Sequence, residues 1–107
     1  MRYNTNNITT IRKLSAMPYA QAHVEIAEDC STYLFSYTTL VAYIEGGNLY
    51  VNGLYSQTTR KHISAFLKEY LNLPYIIAKT CYSNHAVYFI EENVFVSLDT
   101  GEILGGE

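Results

Sequence analysis

Hydroxyl and cationic side chains gather in one short stretch that could do chemistry. They are Ser56, Thr58, Thr59, Arg60, Lys61 and His62. The stretch opens a predicted helix, and the free N–H groups and the dipole of a helix N-terminus attract anions. These residues could hold a phosphate or a carboxylate of a partner, but ordinary capping beside two solvated cations is the favoured interpretation. The glycines and the Gly-Lys-Ser/Thr order of a P-loop are missing.

Cys81 and His85 are the second candidate, because a cysteine and a histidine can act as a nucleophile and its base. The sequence shows no third group to orient the histidine, and a reduced, buried thiol is the simpler interpretation of both Cys30 and Cys81. Glu91 and Glu92 are adjacent, so on a strand they point to opposite faces. No spacing of His and Cys is typical of a metal site. We therefore predict no enzymatic activity, no metal and no cofactor.

One long helix is predicted to position the first group, over about residues 58–71, with Thr58 or Thr59 as its cap. Its buried stripe follows the i, i+3, i+4, i+7, i+8 spacing and consists of Ile63, Phe66, Leu67, Tyr70 and Leu71. His62 lies off this stripe, which predicts an exposed side chain. Asn72 and Pro74 end the helix.

The sequence on both sides of this helix is typical of strands. Residues 21–27 alternate between apolar and polar, and residues 33–37 and 40–45 are rich in aromatic and β-branched types. Gly46-Gly47-Asn48 predicts a hairpin turn into residues 49–51. Further strands are predicted at 86–91 and 93–98.

Two segments differ from this pattern of strands. Residues 75–82 fit either a strand or a short helix, and the spacing of Ile8, Ile11, Leu14 and Met17 predicts a short N-terminal helix. The expected fold is one α+β domain over residues 1–107. It is an antiparallel, meander-like sheet with one principal helix packed on one face.

Charge is distributed unevenly along the 107 residues. The net charge is only −3, which disfavours a general nucleic-acid binder, and the 7 Lys and Arg all precede residue 80. The remaining third is acidic, with Glu91, Glu92, Asp99, Glu102 and Glu107. This acidic third could face a basic partner. Neither a signal-peptide core nor an apolar run of membrane-spanning length is visible, so we predict a cytoplasmic protein that binds no membrane.

Tyrosine is unusually abundant, with 11 Tyr against 4 Phe and no Trp. A set of aromatic residues falls on neighbouring predicted strands: Tyr33, Phe35, Tyr37, Tyr43 and Tyr50. On a shared solvent-facing surface they could stack the bases of single-stranded nucleic acid. The absence of Lys and Arg between Lys13 and Arg60 counts against that use. Exposed edge strands and abundant tyrosine would also allow a homodimer.

Two motifs carry a resemblance to known proteins. The first is Ser36-Tyr37-x-Thr39-x-Val41-Ala42, and the second is Tyr55-Ser56-x-Thr58-Thr59-x-x-His62. With these motifs the chain resembles a group of small proteins encoded by bacteriophages, plasmids and other mobile elements of bacteria. The resemblance implies a bacterial cytosol and a mobile-element gene, and it transfers no site residues.

The leading hypothesis is a small non-enzymatic binding protein of a bacterial mobile element, an anti-CRISPR-type inhibitor that occupies a surface of a larger host or defence protein. Its contact residues would be Glu91, Glu92, Asp99 and Glu102 against a basic partner, or Arg60, Lys61 and His62 against an acidic one. The alternative is an accessory nucleic-acid-binding protein that uses the helix start and the strand tyrosines. An enzyme that uses Cys81 and His85 is a third hypothesis.

Overall fold

A computed structural model describes residues 7–106 and contains one eight-stranded sheet. The strands are β1 (Ile8–Arg12), β2 (Ala22–Ala27), β3 (Thr32–Ser36), β4 (Thr39–Glu45), β5 (Asn48–Val51), β6 (Ala86–Phe89), β7 (Val94–Ser97) and β8 (Ile103–Gly106). They lie side by side in chain order, and each pair is antiparallel. Helices α1 (Gln57–Tyr70) and α2 (Tyr75–Ser83) are inserted between β5 and β6. The predicted α+β class with an antiparallel meander is therefore confirmed.

The predicted N-terminal helix is wrong, because residues 8–12 form the edge strand β1. Two of its five residues are threonine and two are isoleucine, types that favour a pleated strand over a helix. The strand pairs with β2 through Ile11 opposite Glu25 and Arg12 opposite Val24. Leu14 follows the strand and is fully buried against the helices' side of the sheet. The apolar spacing that resembled a helix thus comes from a strand and one anchoring side chain.

Helix α1 begins one residue earlier than predicted, and Ser56 is its cap. The hydroxyl of Ser56 accepts the backbone N–H of Thr59 at 3.2 Å, so neither Thr58 nor Thr59 is the capping residue. Ile63, Phe66 and Leu67 are fully buried, as the stripe predicts. Asn72 adopts a left-handed backbone with φ of 53°, which ends the helix.

Residues 75–83, which fitted either a strand or a helix, form the second helix. Pro74 is its N-cap residue, a position where the missing proline N–H costs no helical hydrogen bond. Ile77, Ala78 and Cys81 share the buried side and pack on β5 and β6. The sheet therefore carries two helices, where the sequence predicted one principal helix.

Candidate functional site

The two helices lie on one face of the sheet. Strand residues of that face pack against α1 and α2, and they include Ala22, Val24, Leu34, Ala42, Leu49, Tyr88 and Phe95. The alternate residues point the other way, since successive side chains of a strand alternate. Within residues 7–106 no helix covers that second side. We call it the open face.

Stacked aromatic rings cross the open face from strand to strand. Tyr33, Tyr43 and Tyr50 are direct cross-strand partners on β3, β4 and β5. The ring centroids of Tyr33 and Tyr43 are 5.9 Å apart, and those of Tyr43 and Tyr50 are 4.7 Å apart with the planes 10° from parallel. His23 and Phe35 stack in the same way at 4.9 Å. Three of the five predicted aromatic residues therefore form one ladder, and Phe35 extends the same surface.

Two carboxylates lie within this aromatic surface. Oε2 of Glu45 lies 3.4 Å from the hydroxyl of Tyr33, which donates to it, and Oε2 of Glu25 lies 2.8 Å from Nε2 of His23. Burial raises the pKa of Glu25, and burial followed by the nearby Lys13 lowers the pKa of His23. Both pKa shifts disfavour an ion pair, so the contact is a hydrogen bond from the neutral ring of His23 to the carboxylate of Glu25.

Among the described residues the basic side chains lie mostly on the helices, apart from Arg12 on β1 and Lys13 near His23. Strands β2–β8 contain no Lys or Arg, whereas Arg60, Lys61, Lys68 and Lys79 lie on α1 and α2. The β2–β3, β4–β5 and β6–β7 turns meet at one end of the meander, because alternate turns of an antiparallel sheet share an end. The acidic residues there are Glu28, Asp29, Glu45, Glu91 and Glu92. The open face is thus aromatic in its middle, and the turns at one end of the sheet are acidic.

A cleft interrupts the open face where β5 and β6 separate. Only Asn48 and Leu49 of β5 pair with β6, so Tyr50 and Val51 diverge from the start of that strand. The cleft has a volume of about 300 Å³, and its polar lining is Tyr43, Tyr50, Asn52, Cys81, Tyr82 and His85. Val51 and Leu98 supply apolar walls. The insertion of both helices between β5 and β6 explains the separation.

The cleft contains both members of the proposed nucleophile pair, and its His85 contacts an orienting group that the sequence did not reveal. Nδ1 of His85 lies 2.9 Å from Oδ1 of Asp99. Cys81, however, is only 1% exposed, and burial raises the pKa of its thiol to about 12. A catalytic cysteine needs the opposite shift, toward the thiolate. The burial of Cys81 therefore disfavours nucleophilic catalysis through its thiol.

The two thiols should react very differently in the folded chain. Cys30 is exposed and Cys81 is buried, so a thiol reagent such as Ellman's reagent should modify Cys30 and spare Cys81 at pH 8. We expect one reactive thiol per native chain and two in denaturant. A native Cys81 that reacts as fast as Cys30 would revive the nucleophile hypothesis.

His62, predicted to be exposed, lies in the core at 1% exposure. Its Nδ1 is 2.8 Å from the hydroxyl of Ser36, which in turn lies 3.2 Å from the hydroxyl of Thr59. Burial lowers the pKa of His62. The histidine therefore joins the strand motif to the helix motif and cannot belong to a contact surface. The prediction was wrong because it took any position off the apolar stripe to be exposed, whereas β3 covers that side of the helix start.

The remaining predicted contact residues do not form one patch. Arg60 and Lys61 are exposed on α1, where Lys61 lines a shallow groove of about 580 Å³ together with Lys68. Glu91 and Glu92 lie in the β6–β7 turn.

Asp99 and Glu102 lie in the β7–β8 connection, at the opposite end of β7 from Glu91 and Glu92. The sequence analysis did not predict the open-face carboxylates Glu25 and Glu45 as contact residues. The alternation of His23 and Glu25 on β2 was the signal available for one of them.

Two further structural features bear on function. Within residues 7–106 no cluster of three or more His, Cys, Asp and Glu residues has the arrangement of a metal site. Neither α1 nor α2 is long and apolar enough to cross a membrane.

Comparison with known proteins gives one match. No curated protein and no solved structure matches the chain. Residues 4–76, more than half of the chain, match the sequence model described as a family of unknown function (DUF8033). That range includes β1–β5 and α1, and with them the Tyr33–Tyr43–Tyr50 ladder and the contact of Ser36 with His62. The chain therefore belongs to the DUF8033 family.

Proposed function

We propose that the chain is a small non-enzymatic binding protein that docks its open face on a basic surface of a larger protein. The observation that carries this proposal is the stacked pair of the half-buried Tyr43 and Tyr50, which continues the buried Tyr33, beside the carboxylates of Glu25 and Glu45 on strands without a Lys or Arg. Tyrosine supplies large contact area at low cost in conformational entropy, and arginine is enriched in the surfaces that it meets.

The resemblance to mobile-element proteins suggests where such a partner would be found. Proteins that enclose nucleic acid bind it in basic channels. An acidic, aromatic surface is complementary to such a channel. We propose a bacterial defence protein as the partner, blocked in the manner of an anti-CRISPR inhibitor in the host cytoplasm. The distribution of charge supports docking through the open face, because the Lys and Arg residues of α1 and α2 lie on the helices' side of the sheet.

Nucleic-acid binding is the alternative, because the same rings could stack bases. Binding of a polyanion depends on cations that neutralise phosphates. The open-face strands offer Glu25 and Glu45 instead. The helix start offers exposed Arg60 and Lys61, but they lie on the helices' side of the sheet. A protein partner therefore fits this surface better than a nucleic acid.

The test is affinity capture from nuclease-treated lysates of bacteria with active defence systems, using two matched double variants. Glu25→Gln with Glu45→Gln removes two charges from the open face, and Lys61→Gln with Lys68→Gln removes two from α1. We expect one stoichiometric protein partner that the first variant loses by about tenfold and the second retains.

Either of two results would contradict the proposal. One is loss of the partner with the lysine variant alone, which would assign the contact to α1. The other is capture of nucleic acid without a protein, with binding that weakens steeply as salt rises, which would favour the alternative.

A further inference from the structure

We infer that the cleft between β5 and β6 receives one arginine side chain of the partner, an inference that rests on the proposed function. The cleft opens beside the stacked rings of Tyr43 and Tyr50 and has a volume of about 300 Å³. None of its lining residues is a Lys or Arg. A side chain of a partner docked on the open face would enter the cleft beside Tyr43 and Tyr50 and pass between β5 and β6.

Besides its tyrosine hydroxyls, which can donate or accept, the cleft has two further side chains that can offer acceptors. Nδ2 of Asn52 already donates to the carbonyl of Leu40 at 3.1 Å, so its amide oxygen is the part that can accept from a guest. In the tautomer whose Nδ1 donates to Asp99, Nε2 of His85 is an acceptor as well. Asp99 adds a carboxylate at 2.9 Å behind that ring. Acceptors with a nearby negative charge call for a guest rich in donors.

The shape and lining of the cleft select among donor-rich guests. A guanidinium is planar, carries five N–H donors and stacks on aromatic faces, and tyrosine rings line the cleft at Tyr43, Tyr50 and Tyr82. Val51 and Leu98 provide an apolar contact for the methylene stem. A lysine ammonium is more strongly hydrated and does not stack on rings. A carboxylate guest would be repelled by the negative charge of Asp99. Arginine therefore fits the lining better than either.

The test is an NMR titration of the full chain with N-acetyl-arginine N-methylamide and three analogues of it. The citrulline analogue has the same shape without the charge, and the lysine and tyrosine analogues test charge alone and ring alone. We expect the arginine probe to shift the signals of Tyr43, Tyr50 and Tyr82. Citrulline and lysine should bind about fivefold more weakly.

Variants tie the signal to the cleft. Asp99→Asn keeps the shape of an exposed side chain and should weaken the arginine probe about fivefold, while Lys61→Gln on α1 should leave it unchanged. Tyr50→Leu provides a second variant that removes one ring from the cleft. Equal binding of arginine and citrulline, tighter binding of the tyrosine analogue, or an absence of shifts at the cleft would overturn the inference.

Failure of this inference is distinguishable from failure of the proposed function. The titration needs no partner, so arginine binding at the cleft can be present in a chain that captures no protein. Conversely, a chain whose partner is lost with Glu25→Gln and Glu45→Gln but whose cleft ignores the arginine probe keeps the proposed function and loses the cleft assignment.

Discussion

Phe66→Ala should lower the free energy of unfolding by about 3–5 kcal/mol, as measured by urea denaturation. Phe66 is fully buried on α1, and its ring lies 5.2 Å from that of Tyr70. Truncation loses the transfer free energy of the ring and leaves a cavity that helix and sheet cannot close. Because small domains are stable by only about 5–15 kcal/mol, this single change should remove much of the total.

The matched control lies on the same helix. Lys68→Ala changes an exposed residue two positions away and should alter the free energy of unfolding by less than about 0.5 kcal/mol. If Phe66→Ala cost no more than Lys68→Ala, α1 would not be packed on the sheet, and the division into a covered face and an open face would be wrong.

Ser36→Ala should cost about 1–3 kcal/mol of stability, because it leaves the buried Nδ1 of His62 without its partner. Ser36 and His62 are 2% and 1% exposed, so water cannot easily replace the lost hydrogen bond of 2.8 Å. Ser64→Ala, at an exposed position of α1, is the control and should be nearly neutral. A neutral Ser36→Ala would show that this contact does not join β3 to the helix start.

The same histidine should make stability depend on pH. Burial lowers the pKa of folded His62, so between that value and the unfolded value of 6.5 the unfolded chain binds more protons. The stabilising effect is complete above the unfolded pKa and is lost as pH falls below about 6.5 toward the folded pKa. The shifted pKa values of His23 and Glu25 also make stability depend on pH, so the native chain is compared with His62→Gln, which retains both of them. The His62→Gln variant should lose less stability than the native chain over this pH range.

Local patterns predicted much of the fold because the forces that they report are local. Alternation in β2, the two glycines at the β4–β5 turn with φ of 59° and 79°, and the stripe of α1 each depend on a few neighbouring residues. The error at β1 has a different origin. Its spacing fitted a helix, but the free edge of β2 offered a hydrogen-bonding partner, and a short segment takes the structure that tertiary pairing supports.

The candidate site was harder to predict, because it is built from pairings across the sheet. Tyr33, Tyr43 and Tyr50 appeared in the sequence as aromatic strand residues, but only the register places their rings in one ladder. The burial of His62 depends on β3, and the cleft exists because β5 and β6 pair at only two positions. None of these relations has a local sequence signal.

Footprinting of the tyrosines on the bound chain tests the central claim most directly. Once the partner is purified, hydroxyl-radical labelling read by mass spectrometry reports the exposure of each ring with and without it. We expect protection of Tyr43 and Tyr50 on the open face and unchanged labelling of Tyr19 and Tyr75. Tyr19 is 98% exposed between β1 and β2, and Tyr75 begins α2 beside Lys79. Protection of Tyr19 and Tyr75 with Tyr43 and Tyr50 unchanged would contradict docking through the open face.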